Sequence, residues 1–138
     1  MSLPIILDTG PLVALLNQQD RFHQSSKDLF ARLKPPLYTC ESVISEACFL
    51  VQKIPEGIPA IVDMVSTGLI LIPFQLSAEA PAIQSLLIKY ADVPMSLADG
   101  CLVRMSELMP QSKIFTFDSD FGIYRKNRHE IIQTIVPV

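Results

Sequence analysis

Five short, almost wholly apolar runs alternate with segments whose apolar residues recur at helical spacing, and this alternation leaves a chain of 138 residues few architectures to adopt. The runs are residues 4–8 (Pro-Ile-Ile-Leu-Asp), 37–39, 69–74, 113–117 and 131–136. The fullest of them lack the in–out alternation of a strand with one wet face, so both faces must be covered by other elements. Between them, Leu12, Val13, Leu15 and Leu16 form a helical face after the turn Thr9-Gly10-Pro11. A second helix spans about 20–33, with Phe22, Leu29, Phe30 and Leu33 on one side, and Pro35-Pro36 stops it. Val43, Ile44, Ala47, Cys48 and Val51 mark a helix over 41–52, and another is expected over about 59–66. Ser77 opens a helix carrying Ile83, Leu86, Leu87 and Tyr90 before Pro94, and Ser96 caps the next, which runs to about Leu108. The expected fold class is α/β: a three-layer sandwich with a five-stranded, mostly parallel sheet flanked by helices, residues 1–138 forming one domain.

In an open sheet of this kind ligands bind beyond the carboxyl ends of the strands, where the strand order reverses. Asp8 and Asp118 stand at such ends, of the first and fourth strands. If those two strands are neighbours across the reversal, the carboxylates meet. Glu46 falls between Phe49 and Leu50 when its helix is stepped at about 100° per residue, which places a carboxylate at the edge of the apolar arc. Asp99 lies in the first turn of a helix whose neighbouring side chains Leu97, Ala98, Leu102 and Val103 are apolar. Asp120 follows Asp118 by two residues, and Thr116 offers a hydroxyl beside them.

Each acid also has a plainer reading. Asp8 suits the turn after a strand as a helix cap, Ser96 and Asp99 fit capping-box spacing, Asp118 and Asp120 fit an N-cap and a first-turn acid, and Glu46 has structural ion pairing. The combination is harder to explain away. Two charges about 4 Å apart repel by roughly 4 kcal/mol at an effective dielectric near 20, so gathered carboxylates need a cation or must hold protons. An all-oxygen donor set suits Mg²⁺ or Mn²⁺. Such an ion can activate water against a phosphodiester.

Composition limits the rivals. Apolar residues make up 49% of the chain and charged ones 18%, with mean hydropathy +0.36, a greasy balance that leaves apolar surface for an oligomer interface. No uninterrupted apolar run is long enough to span a bilayer, so no membrane association is expected. The first residues lack a basic leader region. Three cysteines without a Cys-x-x-Cys pair indicate neither a disulfide framework nor a thiolate zinc site, and a cytoplasmic location is expected. A net charge of −3 argues against broad electrostatic wrapping of nucleic acid. Arg125, Lys126, Arg128 and His129 form the one dense basic cluster, readable as a solvated turn or as a phosphate clamp beside the acids.

The segments Ile-Leu-Asp8-Thr-Gly-Pro-Leu-Val-Ala-Leu-Leu-Asn, Ser-Glu46-Ala, Ser-Leu-Ala-Asp99-Gly and Phe-Thr116-Phe-Asp118-Ser-Asp120-Phe resemble, in order and across the whole length, the four acidic motifs of PIN domains. The resemblance is closest to the small prokaryotic branch that includes VapC-type toxin ribonucleases. It implies a five-stranded parallel sheet, a site built from Asp8, Glu46, Asp99 and Asp118, and Mg²⁺- or Mn²⁺-dependent endonucleolytic cleavage of RNA. On this reading Asp8 and Asp118 bind metal most directly, Glu46 and Asp99 complete the site or position water, and Asp120 assists with metal or water. Thr116, Arg125, Lys126 and Arg128 contact substrate. The resemblance also implies a homodimer and a small inhibitory antitoxin. Gly100 departs from the alanine that often follows the third acid. Asp20 and His23 resemble a further family segment, with a satisfied surface pair as the plainer reading, and Asp92 is an outer-shell candidate. Two rivals remain: a catalytically silent RNA- or protein-binding module of the same fold, and a phosphatase using Asp8 as nucleophile, which the lack of an acid two residues on disfavours.

Overall fold

The computed structural model describes residues 3–136; Met1, Ser2, Pro137 and Val138 lie outside them, and with them the start of the N-terminal leader reading and both ends of the expected domain. Four strands, β1 (Ile5–Leu7), β2 (Leu37–Tyr38), β3 (Ile70–Leu71) and β4 (Lys113–Phe115), appear where apolar runs predict them. The chain then forms β5 (Arg125–Lys126), β6 (Glu130–Ile131) and β7 (Thr134–Ile135). The main sheet has the order β3-β2-β1-β4-β7 with every neighbouring pair parallel, while β5 and β6 make a separate antiparallel hairpin.

Among the described residues six α-helices cover the sheet: α1 (Thr9–Leu16), α2 (His23–Arg32), α3 (Glu41–Leu50), α4 (Gly57–Ser66), α5 (Leu76–Lys89) and α6 (Leu97–Leu108). The two faces of the central strands feed two separate cores. Ile6 and Ile114 pack with Ile83 and Leu86 of α5 and Leu102 and Met105 of α6. Leu7 and Phe115 pack on the other side with Leu12 of α1, Ala47 of α3 and Ile61 of α4. Alternate residues thus go to opposite layers, and because both layers are apolar the strands read as continuous greasy runs. Gly100 lets α6 approach α5 closely: a Cβ there would lie 3.3 Å from Ile83 Cγ2 and 3.5 Å from Met95 Sδ. The departure from alanine has a packing cause.

Two expected strands change shape. The run 69–74 keeps only β3, at the sheet edge, and Pro73 in its second half has no N–H to offer a ladder. The expected strand over 131–136 is divided: Glu130 and Ile131 pair with β5, Ile132 turns into the core, and only Thr134–Ile135 joins β4. Asn127 (φ 49°) and Arg128 (φ 76°), both left-handed, make the hairpin turn that causes this.

The strand order reverses between β1 and β4. Leu7 is in register with Phe115, so Asp8 and Thr116 leave the sheet side by side.

Candidate active site

Asp8, Glu46, Asp99 and Asp118 line one cleft of about 320 Å³, together with Thr9, Gly10, Leu50 and Phe117. Four separate stretches of chain supply the acids: the end of β1, the middle of α3, the first turn of α6 and the segment after β4. Among the described residues the ion pairs are those of Arg104 with Glu79 and Glu107, so none of the four has a lysine or arginine partner.

Asp8 is the anchored member. It continues the β1–β4 ladder, its N–H donating to the Phe115 carbonyl at 3.0 Å, and it caps α1, its Oδ1 accepting from the Thr9 N–H at 2.7 Å. Its Oδ2 accepts from Thr116 Oγ1 at 2.6 Å, and the same hydroxyl oxygen accepts from the Asp118 N–H at 2.9 Å. Thr116, 2% exposed, has both its donor and its acceptor committed, so it positions two acids and is not open to substrate as expected. Burial pushes the Asp8 carboxyl up to about 6; the Thr116 and Thr9 hydrogen bonds oppose the rise, and the charges of Asp99 and Asp118 add to it.

Asp99 fills both of its sequence readings. The reciprocal capping box is formed, with the Asp99 N–H donating to Ser96 Oγ at 3.0 Å and the Ser96 N–H to Asp99 Oδ2 at 3.2 Å. The carboxylate also lines the cleft, where burial raises its pKa, those hydrogen bonds lower it and Asp118 raises it. Tyr124, fully buried, donates its hydroxyl to Asp99 Oδ2 at 3.1 Å and packs edge-on against Tyr90 and Phe121. Sequence reasoning missed this tyrosine, since nothing in its neighbours links it to a residue 25 positions away.

Glu46 is exposed, not tucked at the edge of a buried face, because Phe49 and Leu50 beside it are themselves exposed, at 68% and 53%. Its pKa is raised, first by the partial shelter of its setting and then by the charge of Asp99, while the nearby Thr9 hydroxyl opposes the rise. That hydroxyl is buried and makes no full hydrogen bond of its own. Asp118 caps the 3-10 turn Ser119–Gly122, its Oδ1 accepting from the Asp120 N–H at 2.9 Å. Asp120 is not in the cleft wall.

The basic cluster is not brought to the cleft. Arg125 spends its guanidinium on the carbonyls of Gly122, Ile123 and Tyr124, and Lys126 is buried with its Nζ donating to the Pro110 carbonyl at 3.1 Å. Arg128 lines a different cleft with Lys89 and Arg104. These three corrections share one cause, the β5–β6 hairpin, which commits the cluster to folding the C-terminal segment. Arg21 stacks 4.5 Å over Phe22, whose ring lies 4.5 Å from Phe117 in the cleft wall. The Asp20 carboxylate accepts from the Phe22 N–H, the His23 ring donates to the Ala14 carbonyl, and the His23 N–H donates to the Asp20 carbonyl at 2.9 Å, so the two fix the α1–α2 turn together without a side-chain pair. Asp92 is exposed and outside the cleft wall.

The donor set fits a hard divalent cation, with oxygen ligands alone and no protein cation to neutralise them. Among the described residues no three His, Cys, Asp or Glu side chains converge tightly enough to enclose an ion, so one held here would keep water in its shell.

No curated protein matches the chain. The crystal structure of Mycobacterium tuberculosis VapC20, described as a sarcin–ricin-loop-cleaving toxin, is similar with a TM-score of 0.78, covering 86% of this chain and 93% of that one at 19% identity, a likeness of fold. The profile of the PIN domain matches residues 5–127, from β1 to the turn of the hairpin. That span covers most of the chain and includes the four carboxylates of the cleft, and the chain belongs to the PIN domain family.

Proposed function

We propose that this protein is a Mg²⁺- or Mn²⁺-dependent endoribonuclease of the VapC type, a cytoplasmic toxin held in check by a small antitoxin and working as a homodimer. One observation carries the reading: four unpaired carboxylates from separate elements line a single cleft at the reversal of a parallel sheet. Membership in the PIN family supports a nuclease, and the fold likeness to VapC20 supports the toxin branch. Exposed Phe49 and Leu50 at the cleft, with Val62 on α4, supply apolar surface of the kind a partner covers.

In this mechanism Asp8 and Asp118, both bonded to the Thr116 hydroxyl, would hold the ion. Glu46 and Asp99 complete the site and hold the attacking water, Asp99 itself steadied by Tyr124 and Ser96. When bound, the divalent ion lowers the pKa of water and offsets charge at the reacting phosphate. Arg21, stacked on Phe22 beside Phe117 of the cleft wall, is the cation proposed to meet the phosphate backbone.

The test is cleavage of single-stranded and hairpin RNA, a sarcin–ricin hairpin among them, with Mg²⁺, Mn²⁺ or EDTA. Endonucleolytic products that need the metal and vanish in Asp8→Asn support the proposal. Binding of RNA without cleavage, unaffected by chelation, would replace it with the silent binding module.

A further inference from the structure

Tyr124 is not one of the four acids, yet the fold holds it more firmly than any of them. It follows the 3-10 turn Ser119–Gly122, precedes β5, and is fully buried, its ring centre 5.1 Å from that of Tyr90 and 5.3 Å from that of Phe121, edge-on to both. Tyr90 closes α5, and its own hydroxyl accepts at 2.8 Å from the N–H of Arg125, the residue after Tyr124. Further along, the Asn127 N–H donates to Glu107 of α6 at 2.6 Å and Lys89 of α5 donates to the Arg128 carbonyl at 2.9 Å, so the chain beyond Tyr124 is tied to both helices. Ring and backbone are fixed, and the hydroxyl donates to Asp99 Oδ2 at 3.1 Å.

The other donor to that oxygen is the Ser96 N–H, at 3.2 Å. Two donors from separate segments, the start of α6 and the stretch before β5, thus meet on Oδ2, and among the described residues no hydrogen bond falls on Oδ1. The capping box is complete without Tyr124. A single bond to the Ser96 N–H leaves the carboxylate free to turn about Cβ–Cγ, a torsion with broad wells. A second bond, from a ring that has no room to move, fixes its plane.

We propose that Tyr124 is a positioning residue for the hydrolytic reaction: its hydroxyl turns the Asp99 carboxylate so that Oδ1, the oxygen without a donor, faces the cleft. Tyr90 acts one step further back, by holding the backbone that carries the Tyr124 ring. Tyr124 is not in the cleft wall and acts only through Asp99. Partners that orient a side chain in this way are worth on the order of 10–100-fold in activity at a metal-dependent site. The effect on cleavage rests on the nuclease reading above; the orientation of Asp99 does not.

Tyr124→Phe keeps the ring and removes the hydroxyl alone. The experiment takes the full chain, checks folding by thermal melting, and compares wild type and variant by crystal structure and by RNA cleavage with Mn²⁺. The expected variant is folded, its Asp99 carboxylate is turned from the wild-type plane or split between orientations, and its kcat is lower by on the order of 10–100-fold with KM unchanged. In an Asp99→Asn background the same change should cost little further, because the carboxylate it orients is gone. An Asp99 carboxylate that has not moved, or an equal loss in the Asp99→Asn background, overturns the positioning role. A turned carboxylate with wild-type kcat overturns the consequence for cleavage alone. Tyr90→Phe should lower kcat in the same direction by less; should Tyr124→Phe fail to fold, wild-type kcat in Tyr90→Phe overturns the proposal. If the wild type cleaves no RNA, the nuclease reading fails while the pair of crystal structures still decides whether the hydroxyl orients Asp99.

Discussion

Asp8 costs the metal-free protein stability. Its carboxyl is 7% exposed, unpaired, and raised by burial from 3.8 to about 6, a shift of roughly 3 kcal/mol against the ionised fold. The sign follows from the direction of the shift: the contribution is fully favourable below pH 3.8, where both states are protonated, and is lost as pH rises through about 6. Asp8→Asn removes the charge and keeps the shape. In metal-free buffer at pH 7.5 urea unfolding should show the variant to be about 1–2 kcal/mol more stable than the wild type, relief of the buried charge exceeding the loss of one acceptor oxygen, while RNA cleavage should be abolished. Thr116 acts in the opposite sense. Thr116→Val strips Asp8 Oδ2 and the Asp118 N–H of their shared partner in a buried position, which should cost about 1–3 kcal/mol by the same measurement and slow cleavage. Thr116→Ser, which retains the hydroxyl, should restore both.

The capping box at the start of α6 shows how one element serves structure and site together. Ser96→Ala removes the acceptor for the Asp99 N–H and should lower stability by about 1 kcal/mol in urea unfolding. Cleavage should change little, because the backbone N–H of residue 96 and the Tyr124 hydroxyl still hold the Asp99 carboxylate. A loss of cleavage as deep as that of Asp8→Asn would show that the hydroxyl, not the backbone, fixes the acid. Elements of this sort were legible in the sequence, since Ser96 with Asp99, and Asp8 ahead of Thr9-Gly10-Pro11, are local patterns that local hydrogen bonds satisfy. The hairpin was not. Ile131 and Ile132 read as strand on propensity alone, and the decision to pair residues 130–131 with 125–126 is made by the left-handed turn at Asn127 and Arg128. The basic cluster looked free to bind phosphate because the Pro110 carbonyl that takes Lys126 is a matter of tertiary placement, and because the fold of residues 122–125 onto the Arg125 guanidinium has no sequence signature. Tyr124 and Arg21 escaped notice because a hydrogen bond and a ring stack, not spacing, connect them to the cleft.

At the scale of the whole molecule, the layer order and the site follow from a single topological fact, that β1 lies between β2 and β4. Apolar runs in the sequence indicated five strands, but their order was only a condition on which the meeting of Asp8 and Asp118 depended. Once β1 and β4 are neighbours, α1 and the segment after β4 must begin side by side, and α3 and α6 close the cleft from the two layers. The fold therefore gathers carboxylates that have no lysine or arginine partner among the described residues, and on the proposed function the ordered chain should bind a divalent ion better than the unfolded one. Such binding stabilises by RT ln(1 + [L]/Kd), about 2.7 kcal/mol when the ion is at 100 times its Kd. Thermal melting at pH 7.5 should rise with the logarithm of Mn²⁺ or Mg²⁺ concentration once it exceeds Kd, and EDTA should reverse it. At pH 4.5, where Asp8 is mostly protonated in the fold, the metal-free protein should have lost much of the penalty carried by that side chain and the metal-induced rise should shrink. Asp8→Asn should show little rise at either pH. A rise of equal size in wild type and variant, or one insensitive to pH, would place the ion elsewhere on the molecule and overturn the proposed metal site.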